Sequence, residues 1–261
     1  MTAKPYPTDL TDAAWDCIKD VVPPPKPGGR HRALAIRAVV HAIFSGVDGG
    51  ITWRMRPHAY PQWPSVYWYV SQWRDRGAWQ RLPDTLRTRV RQAEGRHQHP
   101  TAGCLDRQSV KTTALGGERG DDKGKNVTGR QRHLRVDTLG LLMAVSVTAA
   151  SVSDPAGARL LCARLGGAGK KLWLIGVDGA YRGQWVAWVS QQRRFVLRVT
   201  WRPEGAKGLV LLPRRWVVER TLAWLNQSRR LSKDYARWTK SSEAMIFLSR
   251  TRLMLRRLAA A

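Results

Sequence analysis

Through residues 1–86 the apolar positions recur mostly at helical spacing. In LTDAAWDCIKDVV, Thr11 and Asp12 are placed to cap a helix that stops at the proline run 23–25. In HRALAIRAVVHAIFSG (31–46), Leu34, Ala38, Ile43 and Phe44 fall roughly along one stripe and Gly46 ends the pattern. A third helix follows YPQWP. Ser65 can cap it, Val66, Tyr69, Val70 and Trp73 recur at i, i+3, i+4 and i+7, and Gly77 follows its end. Its other face carries Tyr67, Ser71, Gln72, Arg74 and Arg76. Three short helices with a basic last face suit a helix-turn-helix-like module with that face toward a DNA groove, and from pattern alone equally a small bundle whose charged face meets water; the net charge of +26 tips the reading to a DNA-binding domain.

The pattern changes after residues 87–103, RTRVRQAEGRHQHPTAG, which lack a sustained apolar period and read as a linker. AGCLDRQSVKT reads as a short strand, and RQRHLRVDTLGLLMAVSVT as a hairpin turning at Asp137–Gly140. DPAGARLLCARL reads as a helix with Asp154 as N-cap and Pro155 at the first helical position. KLWLIGV is a strand ending at Asp178, GQWVAWVSQQ a helix, RFVLRVTW a strand, and RRWVVERTLAWLNQSRR (214–230) a helix. Strands joined first by hairpins and then alternating with helices predict a mixed α/β sheet. The expected organisation is a helical domain at 1–86, a linker at 87–103 and an α/β domain at 104–261.

Charge decides the class of partner. The chain holds 45 Lys and Arg against 19 Asp and Glu, a formal net charge of +26, which would be self-repulsive without a polyanion nearby. Nucleic acid is the expected partner, ahead of an anionic membrane surface. LGLLMAVSVTAA (139–150) is too short to span a bilayer, and the first residues lack the apolar run of a signal peptide. Cys17, Cys104 and Cys162 are too far apart to form a disulfide framework or a zinc signature. The expectation is a reduced, cytoplasmic protein working on nucleic acid. The tryptophans of the C-terminal half, Trp185, Trp188, Trp201, Trp216 and Trp224, read as core.

In so basic a chain each carboxylate calls for a reason. Asp137 serves a turn, Asp154 a cap, and Asp121 and Asp122 sit in a Gly-rich polar loop where solvated charge suffices. Asp106 and Asp178 instead each follow an apolar strand-like run, where α/β sheets place their chemistry; for Asp178 a tight Asp-Gly turn is the competing explanation. Glu219 lies on a helical stripe with Arg215, Ala223, Asn226 and Arg230, and alone would read as an i,i+4 pair with Arg215. Together, three lone acids from distant stretches could hold two hard divalent cations, with surrounding cations on DNA phosphates.

With these acids in view the chain resembles the DDE transposases of bacterial insertion sequences, in the group named after insertion sequence five. The similar stretches are LDRQSVKTT, GRQRHLRVDTLGLLMAVSVTAASVSD, GVDGAYRG, LPRRWVVERTLAWLNQSRRLSKDY and SSEAMIFLSRTRLMLRRL, with LTDAAW and WRMRPHAYPQW in the leading region. The resemblance implies a ribonuclease H-like mixed sheet with flanking helices, preceded by the small helical domain. It implies a catalytic and metal-binding triad of Asp106, Asp178 and Glu219 holding two Mg²⁺ ions, with Mn²⁺ able to substitute. The expected activity is cleavage at the ends of an insertion sequence and strand transfer into target DNA. The alternative is an inactive DNA-binding regulator or remnant.

Arg215 matches the arginine of the wider family's signature. Leu212 and Asn226 depart from its tyrosine and lysine, and Arg229, Arg230 or Lys233 could replace the lysine. Arg107 stands where the group often has a small serine, and could touch DNA or mark a decayed copy. Lys123, Lys125, Arg130, Arg132 and His133 lie beside the first strand, as phosphate contacts or as part of a charged loop. The residues assigned to DNA are Lys111, Lys125, Arg132, His133, Arg215, Arg230 and Lys233. The implied partners are terminal inverted repeats and target DNA, bound by a homodimer near the nucleoid, with no membrane and no small-molecule substrate.

Overall fold

Every residue from Gly129 to Asp137 is buried, so this strand has protein on both faces, and the rest of the fold is arranged around it. The computed structural model describes residues 6–24, 34–164, 171–179, 181, 187–189, 191, 195–200 and 215–259. Four helices lead: α1 (Asp12–Asp16), α2 (Ile36–Gly49), α3 (Trp63–Asp75) and α4 (Ala78–Ala93). A sheet follows from β1 (Ala102–Lys111), β2 (Gly120–Asp122), β3 (Val127–Asp137), β4 (Leu142–Ala149), β5 (Leu174–Asp178) and β6 (Val196–Thr200). Helix α5 (Asp154–Ala163) comes between β4 and β5, and α6 (Trp216–Leu225) and α7 (Thr239–Ala259) close the described chain.

The sheet is mixed. β3 pairs antiparallel with β1 along one edge and with β4 along the other, and its first residues pair with β2; β1, β5 and β6 run parallel. This is the mixed α/β architecture expected from the alternation of elements, and with its flanking helices and leading helical region it is consistent with the ribonuclease H-like fold that the resemblance implies. The hairpin turns where the sequence placed it. Gly140 N–H donates to the Asp137 carbonyl at 3.0 Å, while the Asp137 carboxylate accepts the N–H groups of Leu139 and Leu141, both at 2.9 Å. The other carboxylate oxygen takes Arg91 at 2.5 Å, so this fully buried acid is both turn former and ion-pair partner.

Several element bounds differ from the sequence reading. Helix α2 continues past Gly46 and stops where Gly50 turns left-handed at φ 69°. In α3 the buried residues are Val66, Tyr69, Val70 and Trp73, as their spacing predicts, but the N-cap is Gln62 with Pro64 in the first turn. Helix α5 is capped by Ser153, not Asp154, which frees Asp154 for another role. The linker expected at 87–103 is half helix, because α4 runs through residue 86 to Ala93 with Leu86 and Val90 fully buried. Arg87 and Arg91 made that stretch look polar. Both are buried and bonded to the sheet region, Arg87 to the Leu142 carbonyl at 2.8 Å and Arg91 to Asp137.

One apolar cluster joins the leading helices to β3, β4 and α7 through Val39, Phe44, Trp73, Leu86, Leu134, Val145 and Ile246. A second, on the other face, gathers Leu105, Leu161, Ile175, Val177, Tyr181 and Leu197 under α5. Most of the helix expected at GQWVAWVSQQ, with Trp185, and also Trp201 and Leu212, lie outside the described residues.

A glycine sets the closest approach of α5 to the sheet. A Cβ at Gly157 would lie 2.1 Å from Cε1 of the buried His133 ring. Gly157→Ala should therefore destabilise the fold by about 1–3 kcal/mol through overpacking. In thermal melts, His133→Ala added to Gly157→Ala should recover part of that loss, whereas additive losses would mean the two side chains do not meet.

Candidate active site

Side chains along a strand alternate faces, and this places the first two acids together. In β1, Leu105 points to the α5 face, while Cys104 and Val136 pack with Val217 and Val218 of α6. Asp106, two residues after Cys104, shares the α6 face. In β5, Ile175 and Val177 point to the α5 face, leaving Gly176 and Asp178 on the α6 side. Parallel pairing matches Cys104 with Gly176, so Asp106 and Asp178 stand level, each two residues further on. Asp178 ends its strand as expected. Asp106 lies mid-strand, but just past the last residue of β1 paired to β5, so its β5 side is open.

Helix α6 brings the third acid. Val217, Val218, Thr221, Leu222 and Leu225 are buried, which turns the Arg215–Glu219 side toward the aspartates. Glu219 sits in the first turn, where the helix dipole favours an anion. The Arg215 Nη2 atom lies 3.3 Å from an Asp106 oxygen, 3.3 Å from a Glu219 oxygen and 3.8 Å from an Asp178 oxygen. Three carboxylates from positions far apart in the chain thus meet within 3.8 Å of one nitrogen. The i,i+4 pair and the turn at Asp178 are both present too: the Tyr181 N–H donates to the Asp178 carbonyl at 3.0 Å. The turn uses only the Asp178 backbone, and the i,i+4 pair holds Glu219 on the same Arg215 nitrogen that meets the two aspartates.

Electrostatics match this crowding. Burial pushes the Asp106 carboxyl up to about 6; the Arg107 N–H and Arg215 pull it down, and Asp178 and Glu219 push it further up. Tyr181, fully buried, is raised well above its ordinary value by burial, then by the charges of Asp106, Asp154 and Asp178. The sequence reading missed Tyr181; its signal was its place in DGAY, three residues after Asp178.

Arg107 also has its role inside the protein. It pairs with Asp154 and with Asp122, at 2.7 Å for the latter. Asp122 additionally accepts Ser109 Oγ at 2.5 Å. Burial alone would raise the Asp122 carboxyl, yet Ser109, Arg107 and the Lys125 N–H hold it well below the carboxylate range. Asp122 is therefore not a solvated loop charge; β2 pairs with β3, and from it the Asp122 carboxylate reaches the β1 side chains of Arg107 and Ser109. Arg107 is held toward these two acids, and its own N–H donates to Asp106 at 2.7 Å.

The basic residues assigned to DNA divide in two. Lys111, Lys125 and Lys233 are exposed, Arg230 is half-buried, and Arg215 is engaged by the three acids. Arg132 and His133 are fully buried and cannot reach phosphates from β3. Arg132 donates to the carbonyls of Leu231 at 2.8 Å and Lys233 at 3.3 Å. His133 meets Thr148 Oγ1 at 3.2 Å, and burial, with Arg107 nearby, lowers its imidazole to about 4. Arg130 is buried as well, donating to the carbonyls of Glu118, Ala236 and Arg237. A polar strand in the sequence is thus an internal clamp on the segment after α6. Trp216 and Trp224 are not core either: Arg220 lies 4.4 and 4.6 Å from their ring centres on the outer side of α6.

Among the described residues no three acids already stand as ready metal ligands, since the Arg215 cation lies between them. The donor set itself, three carboxylates and no sulfur or imidazole, suits hard divalent cations such as Mg²⁺ or Mn²⁺. No described helix is long and apolar enough to cross a membrane.

Comparison with protein families places these residues in context. The model of the transposase DDE domain matches residues 97–254, more than half of the chain. A second model, of an uncharacterised domain assigned to transposases of the IS4/5 family, matches residues 10–83. Neither a curated protein nor a solved structure matches the chain.

Proposed function

This chain belongs to the transposase DDE domain family, of the IS4/5 insertion-sequence type, and from that premise we propose that it cuts DNA at the ends of an insertion sequence and joins them to target DNA. The convergence of Asp106, Asp178 and Glu219 on the Arg215 guanidinium carries this reading. Such a cluster of like charges needs a cation, and Arg215 and divalent ions would compete for the same oxygens. DDE transposase domains generally use divalent metal ions. When bound here, two such ions supply Lewis acidity at a phosphate and lower the pKa of a bound water.

The chain's own residues then hold and orient. Asp106 and Asp178 offer oxygens from level positions on a rigid sheet, and Glu219 offers its own from the first turn of α6. Arg215, displaced from the acids, becomes available to a DNA phosphate. Exposed Lys111, Lys125 and Lys233 supply further phosphate contacts, with Arg230 nearby, and the positive surface draws DNA in. Two element ends must be processed together, so a homodimer on DNA at terminal inverted repeats is part of the proposal.

The rival is a DNA-binding regulator or remnant on the same scaffold, for which Asn226 in place of lysine speaks. Arg107 no longer speaks for it, because its pairs with Asp122 and Asp154 give it a structural task. Incubating the purified chain with duplex DNA from the gene's own flanks and Mg²⁺ or Mn²⁺, followed by a denaturing gel, separates the readings. Nicked and then joined strands are expected. Cutting without joining would indicate a nuclease of the same fold, and binding without cutting the regulator.

A further inference from the structure

A groove of about 550 Å³ opens where the leading helices meet the segment after α6. Its walls alternate guanidinium groups and aromatic rings: Arg54, Arg230 and Arg237 with Trp53, Tyr67 and Trp238. No carboxylate lines it. Cation–ring contacts run along it, with Arg54 4.9 Å from the Trp63 ring centre, Arg230 5.5 Å from Tyr235, and Arg237 5.2 Å from Trp238. Tyr67 and Trp238 keep 42% and 55% of their surface exposed, so part of each ring is open to a ligand although Arg237 lies over one face of Trp238.

We propose that this groove binds a single strand of DNA, its bases against the aromatic rings and its phosphates on the arginines. Base–aromatic stacking tolerates any sequence, and guanidinium groups both grip phosphate and stack. The volume, within the roughly 300–1,000 Å³ of ligand pockets, fits one or two unpaired nucleotides rather than a length of duplex. Two residues of the basic face of α3 border this cleft: Tyr67, and Arg74, which donates to Ser241 at the start of α7 at 2.8 Å.

The wall is also tied to the acid cluster. The buried Arg130 and Arg132 of β3 hold the carbonyls of Leu231, Lys233, Ala236 and Arg237, and Thr112, just after β1, bridges to Asp234. A strand in the groove would be held by a segment fixed to the strands that carry Asp106. The inference rests on the chain acting on DNA, but not on its cutting it.

The test is fluorescence anisotropy with the full chain in EDTA, so that metal chemistry plays no part, at roughly 0.15 M salt. The probes are a labelled thymidine strand on the order of 12 nucleotides long and an abasic strand of the same length with the same phosphates. The wild-type chain should bind the thymidine strand at least roughly fivefold more tightly. Trp238→Ala and Tyr67→Leu should each shrink that preference, and Trp68→Ala, an exposed neighbour outside the groove, should leave it within about twofold. Arg237→Ala should weaken both strands alike. Equal wild-type affinity for the two strands overturns the proposal without need of any variant, as does a preference untouched by folded Trp238→Ala. Failure to cleave element ends would leave this result standing, and the reverse also holds.

Discussion

Asp178→Asn should lower strand cleavage by about 10³-fold or more while changing affinity for the same DNA by less than about threefold. The asymmetry comes from what the substitution removes. Asn keeps the size of the side chain and the turn made by the Asp178 carbonyl, but takes away the anionic oxygen that faces the α6 side of the sheet. Arg215 retains Asp106 and Glu219 at 3.3 Å each, so the arginine stays neutralised and the α6 contact with the sheet persists. Metal affinity, followed by calorimetry with Mn²⁺, should fall with cleavage, because three acids become two. Equal loss of cleavage, DNA binding and thermal stability would show that Asp178 is only structural, and the proposed mechanism would go with it.

How much of this was legible beforehand differs residue by residue, and the physical reason is the range of the interaction. The acids were found because each stood out locally, at the end of an apolar run or on a helical stripe. Strand alternation then required Asp106 and Asp178 to share a face once the Cys104–Gly176 pairing was known. Asp122 was misread because its partner Arg107 lies 15 residues away, and spacing cannot show that a Gly-rich loop folds back as a strand. Arg130 and Arg132 looked like phosphate ligands for a related reason. Apart from the Glu118 carbonyl, their backbone acceptors lie about a hundred positions later in the chain, and a carbonyl leaves no mark in a sequence. Residues 87–93 read as linker because buried arginines on α4 imitate linker polarity, although Leu86 and Val90 kept its apolar stripe going. Charge counts report the sign of a surface faithfully only when the cations are on it, and in this chain several are not.

Arg107→Met tests that distinction where it matters most for the site. Arg107 is the shared cation of Asp122 and Asp154, whose side chains are only 6% and 12% exposed. Removing it while keeping an apolar stem would leave two poorly solvated carboxylates facing each other. Breaking a buried pair from one side costs about 3–5 kcal/mol, so a melting temperature roughly 6–15 °C lower is expected for a chain of this size. Adding Asp122→Asn and Asp154→Asn should restore much of the loss, since the unpaired charges, not the missing arginine, carry the penalty. Cleavage should fall no further than stability explains, because the backbone N–H of residue 107 that donates to Asp106 remains in the methionine variant. If the variant instead melts like wild type and loses affinity for DNA, Arg107 reaches out to the substrate, and the internal triad is not its function.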